Sequence, residues 1–419
     1  MLTLIIGTKP LPRAIGTAIL SRMSEPSAGP RPKQHLYSLD ILRGLGALII
    51  VIFHWGAFFS QEPYTMERLP GFRWLKPFYV NGWEAVNLFF CLSGFVFFWL
   101  YADVIRERRL AAAKFALWRF SRLYPLHVVT LILVAVGQVA FHAHFGRDFG
   151  IYNNDLRHFF LQLFMASNWG FASGASFNGP SWSVSVEILL YTLFFLICFL
   201  RFDKTAGLVG FVLLGYLIQM LPAQGAREIG SGLFCFFIGG LAFRLFRLLR
   251  ALELSRSFLL AATVLMAGLW LLLPWDYRRQ FLYHQYSASF LPAMLTWHGH
   301  DAGAFALLTF TGNSINLILY PLTLVLLALL ETRGFISGRR FAFVGDLSYS
   351  SYLLHFPLQM VFYAVVQLVG GAESWFYTAT SFLVFFSVLI PLSLASHYYF
   401  ERPVQTLLRQ KLPGANASG

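Results

Sequence analysis

Charge is scarce in this sequence. Only 12% of its 419 residues are Asp, Glu, Lys or Arg, about half the roughly 25% of an ordinary soluble protein. So few charges could not cover a water-soluble globule of this length, which excludes a typical cytosolic enzyme, a disordered chain and a collagen-like fibre. Cysteine is also sparse. Cys91, Cys198 and Cys235 each sit inside an apolar run, so no disulfide framework is indicated and all three read as packing residues. The chain lacks a glycine-rich phosphate loop, a GxSxG elbow and an HExxH helix. His142/His144 and His298/His300/Asp301 are too isolated to read as ligand sets, and no metal is expected.

What is present is apolar. The chain is 57% hydrophobic and 18% aromatic, with a mean hydropathy of +0.61, and its solvent is lipid. Spanning a bilayer takes roughly 20 apolar residues as helix. Ten runs of about that length are expected at 39–59, 79–101, 123–143, 181–200, 206–221, 229–246, 257–274, 311–330, 346–368 and 376–398. A helix satisfies its own backbone in lipid, and the alternation of a membrane barrel is absent. The expected fold is therefore an all-α integral membrane protein of about ten transmembrane helices.

The net charge of +13 would suggest nucleic acid in a soluble protein. Here it reads as topology. With ten spans and both termini cytoplasmic, 23 of the 32 Lys and Arg fall on the cytoplasmic side and eight outside, with Arg43 within a span. That bias is what the positive-inside rule expects. Residues 1–34, rich in Pro and Ser toward their end, read as a flexible cytoplasmic tail, 35–403 as the membrane domain and 404–419 as a second cytoplasmic tail. Two outer loops, 144–180 and 275–310, are long for a bundle. Their mixed stretches His158–Phe171 and Phe281–Leu295 suit the membrane interface or re-entrant pieces.

Ionisable groups inside a bilayer are costly, so the few present are candidates for function. Arg43 and His54 are eleven residues apart in the first run, about three turns, which sets them on one helix face roughly 16 Å apart. Asp40 is one turn before Arg43 and can pair with it. The competing reading is an arginine that snorkels to lipid phosphates and a histidine that packs. Glu187 lies one to two turns inside the fourth run, after Pro180, Ser181, Ser183 and Ser185. At matching depth, His54 and Glu187 would form a general-base pair, against the alternative of a structural carboxylate.

Arg119 and Arg122 share a helix face near the inner boundary, where they would hold phosphates. Ser93, beside Gly94, suits either close helix packing or a bound substrate. His355, two residues before Pro357, either lines a cavity or bonds the carbonyl that the proline frees. Trp182 suits stacking on a sugar ring, and interfacial aromatic belts account for it equally well. With Ser185, these residues complete the candidate binding set.

Six segments in order carry a resemblance: LDILRG…FH at 39–54, FFCLSGF at 89–95, RFSRLYP at 119–125, NGPSWSVSVE at 178–187, LSYSSYLLHFP at 347–357 and ERP at 401–403. Together they resemble acyltransferase family 3, integral-membrane enzymes that O-acylate sugars and other hydroxylated acceptors. The resemblance covers about residues 35–410. It implies transfer of an acyl group, usually acetyl from acetyl-coenzyme A, to a hydroxyl, in a bacterial cytoplasmic membrane. The acyl-CoA is then a donor substrate rather than a permanently bound cofactor. His54 maps onto the family's essential catalytic residue, Arg43 onto the basic residue before it, and Arg119 with Arg122 onto the paired-arginine motif. One departure is Ile188, where many members carry a second acidic residue after the first. The rival reading is a multi-spanning secondary transporter or flippase using Arg43, His54 and Glu187 as a proton relay.

Overall fold

The computed structural model describes residues 35–59, 66–151, 153–221, 223–272 and 315–410. The loop expected at 275–310, the tail 1–34 and the end of the tail 404–419 lie outside them. Among the described residues there is no strand, and the regular structure is helical.

The first helix among the described residues, α1 (Tyr37–Phe59), is followed by α2 (Phe72–Asn81), α3 (Glu84–Leu100), a short α4 (Ala102–Arg106) and the 34-residue α5 (Ala112–Phe145). A short α6 (Leu156–Leu163) lies in the loop before α7 (Trp182–Phe199). Then come α8 (Thr205–Ile218), α9 (Ala226–Ala251) and α10 (Arg256–Leu272). The last part holds α11 (Tyr320–Thr332), α12 (Phe343–Leu368), α13 (Ala379–Ala395) and α14 (Arg402–Gln410).

Among the described residues, seven helical segments are long and apolar enough to cross a membrane, or eight if the bent pair α2 and α3 forms one span. Two shorter apolar helices, α8 and α10, occupy the fifth and seventh expected runs. Large apolar side chains stand outward on several of these helices, such as Leu133, Val136 and Val139 on α5 and Leu260 and Val264 on α10. That surface fits acyl chains and not water. The protein is an all-α, multi-pass membrane protein.

The expected run 79–101 is not one straight helix. Its first residues end α2, and the axis bends by 61° before α3. At the break, a Cβ on Gly82 would fall 2.6 Å from Phe53 Cβ and 2.4 Å from the Phe78 carbonyl oxygen. Only a residue without a side chain lets the chain turn this close to α1. Hydropathy averages over such a turn, because the residues on both sides of it are apolar.

Packing is densest where backbones meet directly. A Cβ on Gly94 of α3 would lie 1.8 Å from the Phe236 carbonyl oxygen of α9, and one on Gly239 of α9 would lie 1.9 Å from the Cys91 carbonyl oxygen of α3. Small residues at such crossings allow the dispersion contacts that hold helices together in lipid. The large buried rings Phe95, Phe98, Phe194, Phe236 and Phe237 fill the space around them. A second crossing pairs α12 with α1. These two crossings frame the site.

Candidate active site

A cavity of about 160 Å³ lies among α1, α3, α5, α7 and α12. It exceeds the roughly 10–15 Å³ that one water needs several-fold, so it has room for a narrow polar chain. Arg43, Arg119 and Arg122 line it, as do Glu187, Tyr191 and Tyr352. In a chain with so little charge, this collection of ionisable groups within one cavity is the strongest pointer to chemistry.

Arg43 is anchored rather than free. Its guanidinium pairs with Asp40 Oδ1 at 3.1 Å, as the spacing suggests. It also donates through Nε to Ser348 Oγ at 3.0 Å, reaching across to α12. Arg119 sits among aromatic rings. Its Nη2 donates to Tyr101 Oη at 2.9 Å, and its guanidinium carbon lies 5.1 Å from the ring centroids of both Phe97 and Tyr101. Its buried Nε has no hydrogen-bond partner. Arg122 lines the same cavity with no side-chain hydrogen bond or ion pair among the described residues. An arginine without a counter-charge in a half-buried place is ready for an anion.

Glu187 takes its bonds from neighbours within the cavity. Its Oε1 accepts from Ser93 Oγ at 3.0 Å and from the Tyr191 hydroxyl. Ser93 therefore faces the cavity while its neighbour Gly94 makes the helix crossing, so the two readings of that pair divide between its two residues. Ser183, Glu187 and Tyr191 stand four residues apart on one face of α7, and all three line the cavity. That stripe is readable in the sequence, although only its middle residue stood out among the candidates.

The pairing of His54 with Glu187 is not formed. Glu187 faces α3, whereas His54 faces α12. His54 Nδ1 lies 3.1 Å from His355 Nε2, with the two ring planes within 11° of each other. His355 is fully buried, and its Nδ1 lies 3.2 Å from the Ser351 carbonyl oxygen. A carbonyl only accepts, so Nδ1 of His355 carries the proton. Neutral His355 then accepts at Nε2 from Nδ1–H of His54, which leaves the lone pair of His54 on Nε2. The carbonyl that Pro357 frees, that of Leu353, is taken instead by Asn178 Nδ2 at 3.0 Å. His355 thus neither patches the proline nor lines this cavity. Its nearest link to the cavity is Tyr352, whose ring lies 6.1 Å from its own and whose hydroxyl bonds Ser183 at 2.7 Å.

Two other candidates lie elsewhere. Ser185 is buried facing the loop that precedes α7, where its Oγ accepts from the Asn168 backbone N–H at 3.1 Å and its carbonyl from Trp169 Nε1 at 2.9 Å. Trp182 packs edge-on against Phe90, their centroids 6.4 Å apart. Both hold the N-terminal end of α7 in place.

A trio in the segment between α5 and α7 has the residue types of a hydrolytic triad. Asp155 Oδ1 lies 2.8 Å from His158 Nδ1, and His158 Nε2 lies 3.0 Å from Ser173 Oγ. The Ser173 backbone N–H also donates to that Nε2 at 3.1 Å. The imidazole lone pair is thereby held by a donor that cannot leave. Asp155 is also the N-cap of α6, accepting from the His158 backbone N–H at 2.8 Å. That bond first, and the imidazole second, hold its carboxyl below the usual carboxylate range. The trio is a cap that ties down the loop.

A family model described as an acyltransferase domain matches residues 36–398. Protein 2 in the picA locus of Rhizobium radiobacter is 36% identical over 104 residues, covering 25% of this chain and 46% of that protein. Peptidoglycan O-acetyltransferase OatA of Listeria monocytogenes is 26% identical over 200 residues, covering 44% of this chain and 28% of the relative. Acyltransferase MdmB of Streptomyces mycarofaciens is 29% identical over 161 residues, or 38% of each chain. The chain thus spans less than half the length of these curated relatives. No solved structure matches it.

Proposed function

The chain belongs to acyltransferase family 3, and from that premise we propose that it transfers an acetyl group from acetyl-coenzyme A to a hydroxyl of a sugar or glycan. The observation that carries this reading is the cavity, basic at the Arg119 and Arg122 end and separated by Tyr352 from the pair of half-buried His54 and buried His355. Coenzyme A is a polyanion with a long, narrow pantetheine arm. Its phosphates suit Arg119 and Arg122, and its arm suits the narrow cavity that Arg43 also lines. His54, with its lone pair on Nε2, is the general base that takes the acceptor's proton as the hydroxyl oxygen attacks the thioester carbonyl. The C–S bond then breaks, and the coenzyme A thiolate leaves and takes that proton back from His54 as the free thiol. Glu187 and Arg43 act from the cavity as the charged pair that orients the donor. The Listeria relative is named for acetylation of peptidoglycan, which supports a glycan as acceptor here.

The remaining apolar helices complete the topology of this proposal. Counting α2 with α3 as one span and adding α8 and α10 gives ten spans, with both termini cytoplasmic in a bacterial inner membrane. This orientation puts Arg119 and Arg122 on the side where coenzyme A is made.

The test uses the full chain in lipid nanodiscs. Acetyl-coenzyme A consumption should rise when a hydroxylated sugar acceptor is added and disappear in His54→Ala protein of unchanged thermal stability. Wild-type turnover by that variant, or no consumption of acetyl-coenzyme A with any hydroxylated acceptor, would overturn the proposal.

A further inference from the structure

A third arginine stands beside the paired ones. Arg409, in the last turn of α14, is half-buried. It donates through Nε to Ser121 Oγ at 3.1 Å and through Nη2 to the Trp118 carbonyl at 3.4 Å. These two contacts flank Arg119 and Arg122 on α5, and Arg409 lies within electrostatic reach of both. Among the described residues, none of the three forms an ion pair with a carboxylate. The acidic groups near α14 are otherwise engaged. Glu401 accepts from Ser350 and Ser396, while Asp346 accepts from Tyr398 and pairs with Arg402. Three guanidiniums gathered at a half-buried place repel one another unless an anion joins them.

Position decides what the anion is. Arg119 and Arg122 line the cavity, whereas Arg409 stands outside its lining. A ligand that reaches all three has an uncharged arm inside the cavity and several phosphates at its mouth. We propose that Arg409 is a phosphate-binding residue of the donor site, holding the nucleotide phosphates of an acyl-coenzyme A together with Arg119 and Arg122. This rests on acyl-coenzyme A being the donor. It makes α14 part of the binding site and not a tail. Anionic lipid headgroups offer the same phosphate chemistry, so the test separates the two sources.

The experiment compares wild type, Arg409→Gln and Arg409→Lys, each checked for an unchanged thermal midpoint, in nanodiscs of zwitterionic lipid alone. Donors are acetyl-coenzyme A and S-acetylpantetheine, which has the arm without the nucleotide. The glutamine variant should raise KM for acetyl-coenzyme A about tenfold with little change in kcat, as expected for losing one charge-assisted contact. It should leave KM for S-acetylpantetheine unchanged, and the lysine variant should fall between. Equal loss with both donors would reduce Arg409 to a helix anchor and overturn the assignment. So would an effect that appears only when anionic lipid is added, or no effect at all. If wild type consumes acetyl-coenzyme A while Arg409→Gln is unaltered, only the role of Arg409 falls. If wild type consumes none, the donor reading falls with it.

Discussion

His54 and His355, 301 residues apart in the chain, meet at 3.1 Å through Nδ1 of the first and Nε2 of the second. The Ser351 carbonyl at the far side of His355 fixes the direction of the proton in this chain of bonds. A base is useful only if its lone pair points at the proton to be taken, and here the second histidine sets which nitrogen that is. His355 is accordingly a positioning residue. His54→Ala should lower kcat by about 10²–10⁴-fold, the usual range for losing a general base. His355→Ala should lower kcat about tenfold or more at unchanged donor KM. His355→Gln, whose amide oxygen can accept from Nδ1–H, should recover part of the loss. Steady-state kinetics that show the alanine and glutamine variants of His355 equal to wild type would remove the positioning role.

Glu187 gathers two hydroxyl donors, those of Ser93 and Tyr191, onto one oxygen. Glu187→Gln keeps the shape and removes the charge, so folding should persist while turnover falls. Hydrogen bonds to charged groups contribute about 1.5–3 kcal/mol, and a loss of about tenfold or more in kcat/KM is expected. Tyr191→Phe and Ser93→Ala should each give a smaller fraction of that loss. Size-exclusion profiles alongside acetyl transfer would separate chemistry from misfolding.

The ordered cavity makes Arg119 the less replaceable of the paired arginines. Its planar head lies among the Phe97 and Tyr101 rings while donating to the Tyr101 hydroxyl. A lysine offers no planar face for that site. Arg119→Lys should therefore raise KM for acetyl-coenzyme A nearly as much as Arg119→Ala. Arg122→Lys, at a position with no such ring contacts among the described residues, should be milder than Arg122→Ala. Donor titrations at fixed acceptor would read both.

Hydropathy placed the helices well because length and apolarity are what lipid demands, and each expected run meets a helix among the described residues. Three kinds of detail were not available from spacing. The bend at Gly82 depends on how close α1 approaches, which is a tertiary fact. The partner of His54 lies on a distant helix, and depth alone favours Glu187 because the expected topology sets both residues toward the same face of the membrane. Tyr191 and Tyr352 carry no charge into the membrane and so do not stand out in the sequence, although their four-residue spacing from Glu187 and Ser348 marks them as same-face neighbours. In contrast, Asp40 with Arg43 and Arg119 with Arg122 were legible, since each pair is local to one helix.

Glycine separates packing from propensity in this bundle. Gly239 meets the Cys91 backbone, whereas Gly210 on α8 has nothing within 4 Å of an added Cβ. Alanine is favoured over glycine within a helix by about 1 kcal/mol. Gly210→Ala should thus be neutral or slightly stabilising. Gly239→Ala should force α9 away from α3 and lower the thermal midpoint markedly, because a backbone carbonyl cannot swing aside as a side chain can. Equal midpoints for the two variants would contradict the close crossing.

Asp155 supplies a local pH dependence with a defined sign. Its carboxyl is held below the usual range, chiefly by the His158 backbone N–H and then by the imidazole. A group whose folded value is depressed stabilises the structure fully above its unfolded value, and that contribution is lost as pH falls through the folded one. The α6 cap should therefore be intact at neutral pH and weaken only once pH drops below the ordinary carboxylate range. Asp155→Asn keeps a capping oxygen and cannot titrate. Hydrogen exchange, corrected for intrinsic rates, should show amide protection at the start of α6 falling with acid in wild type and staying flat in the asparagine variant. The same acid-dependent loss in both proteins would place the sensitivity in another group.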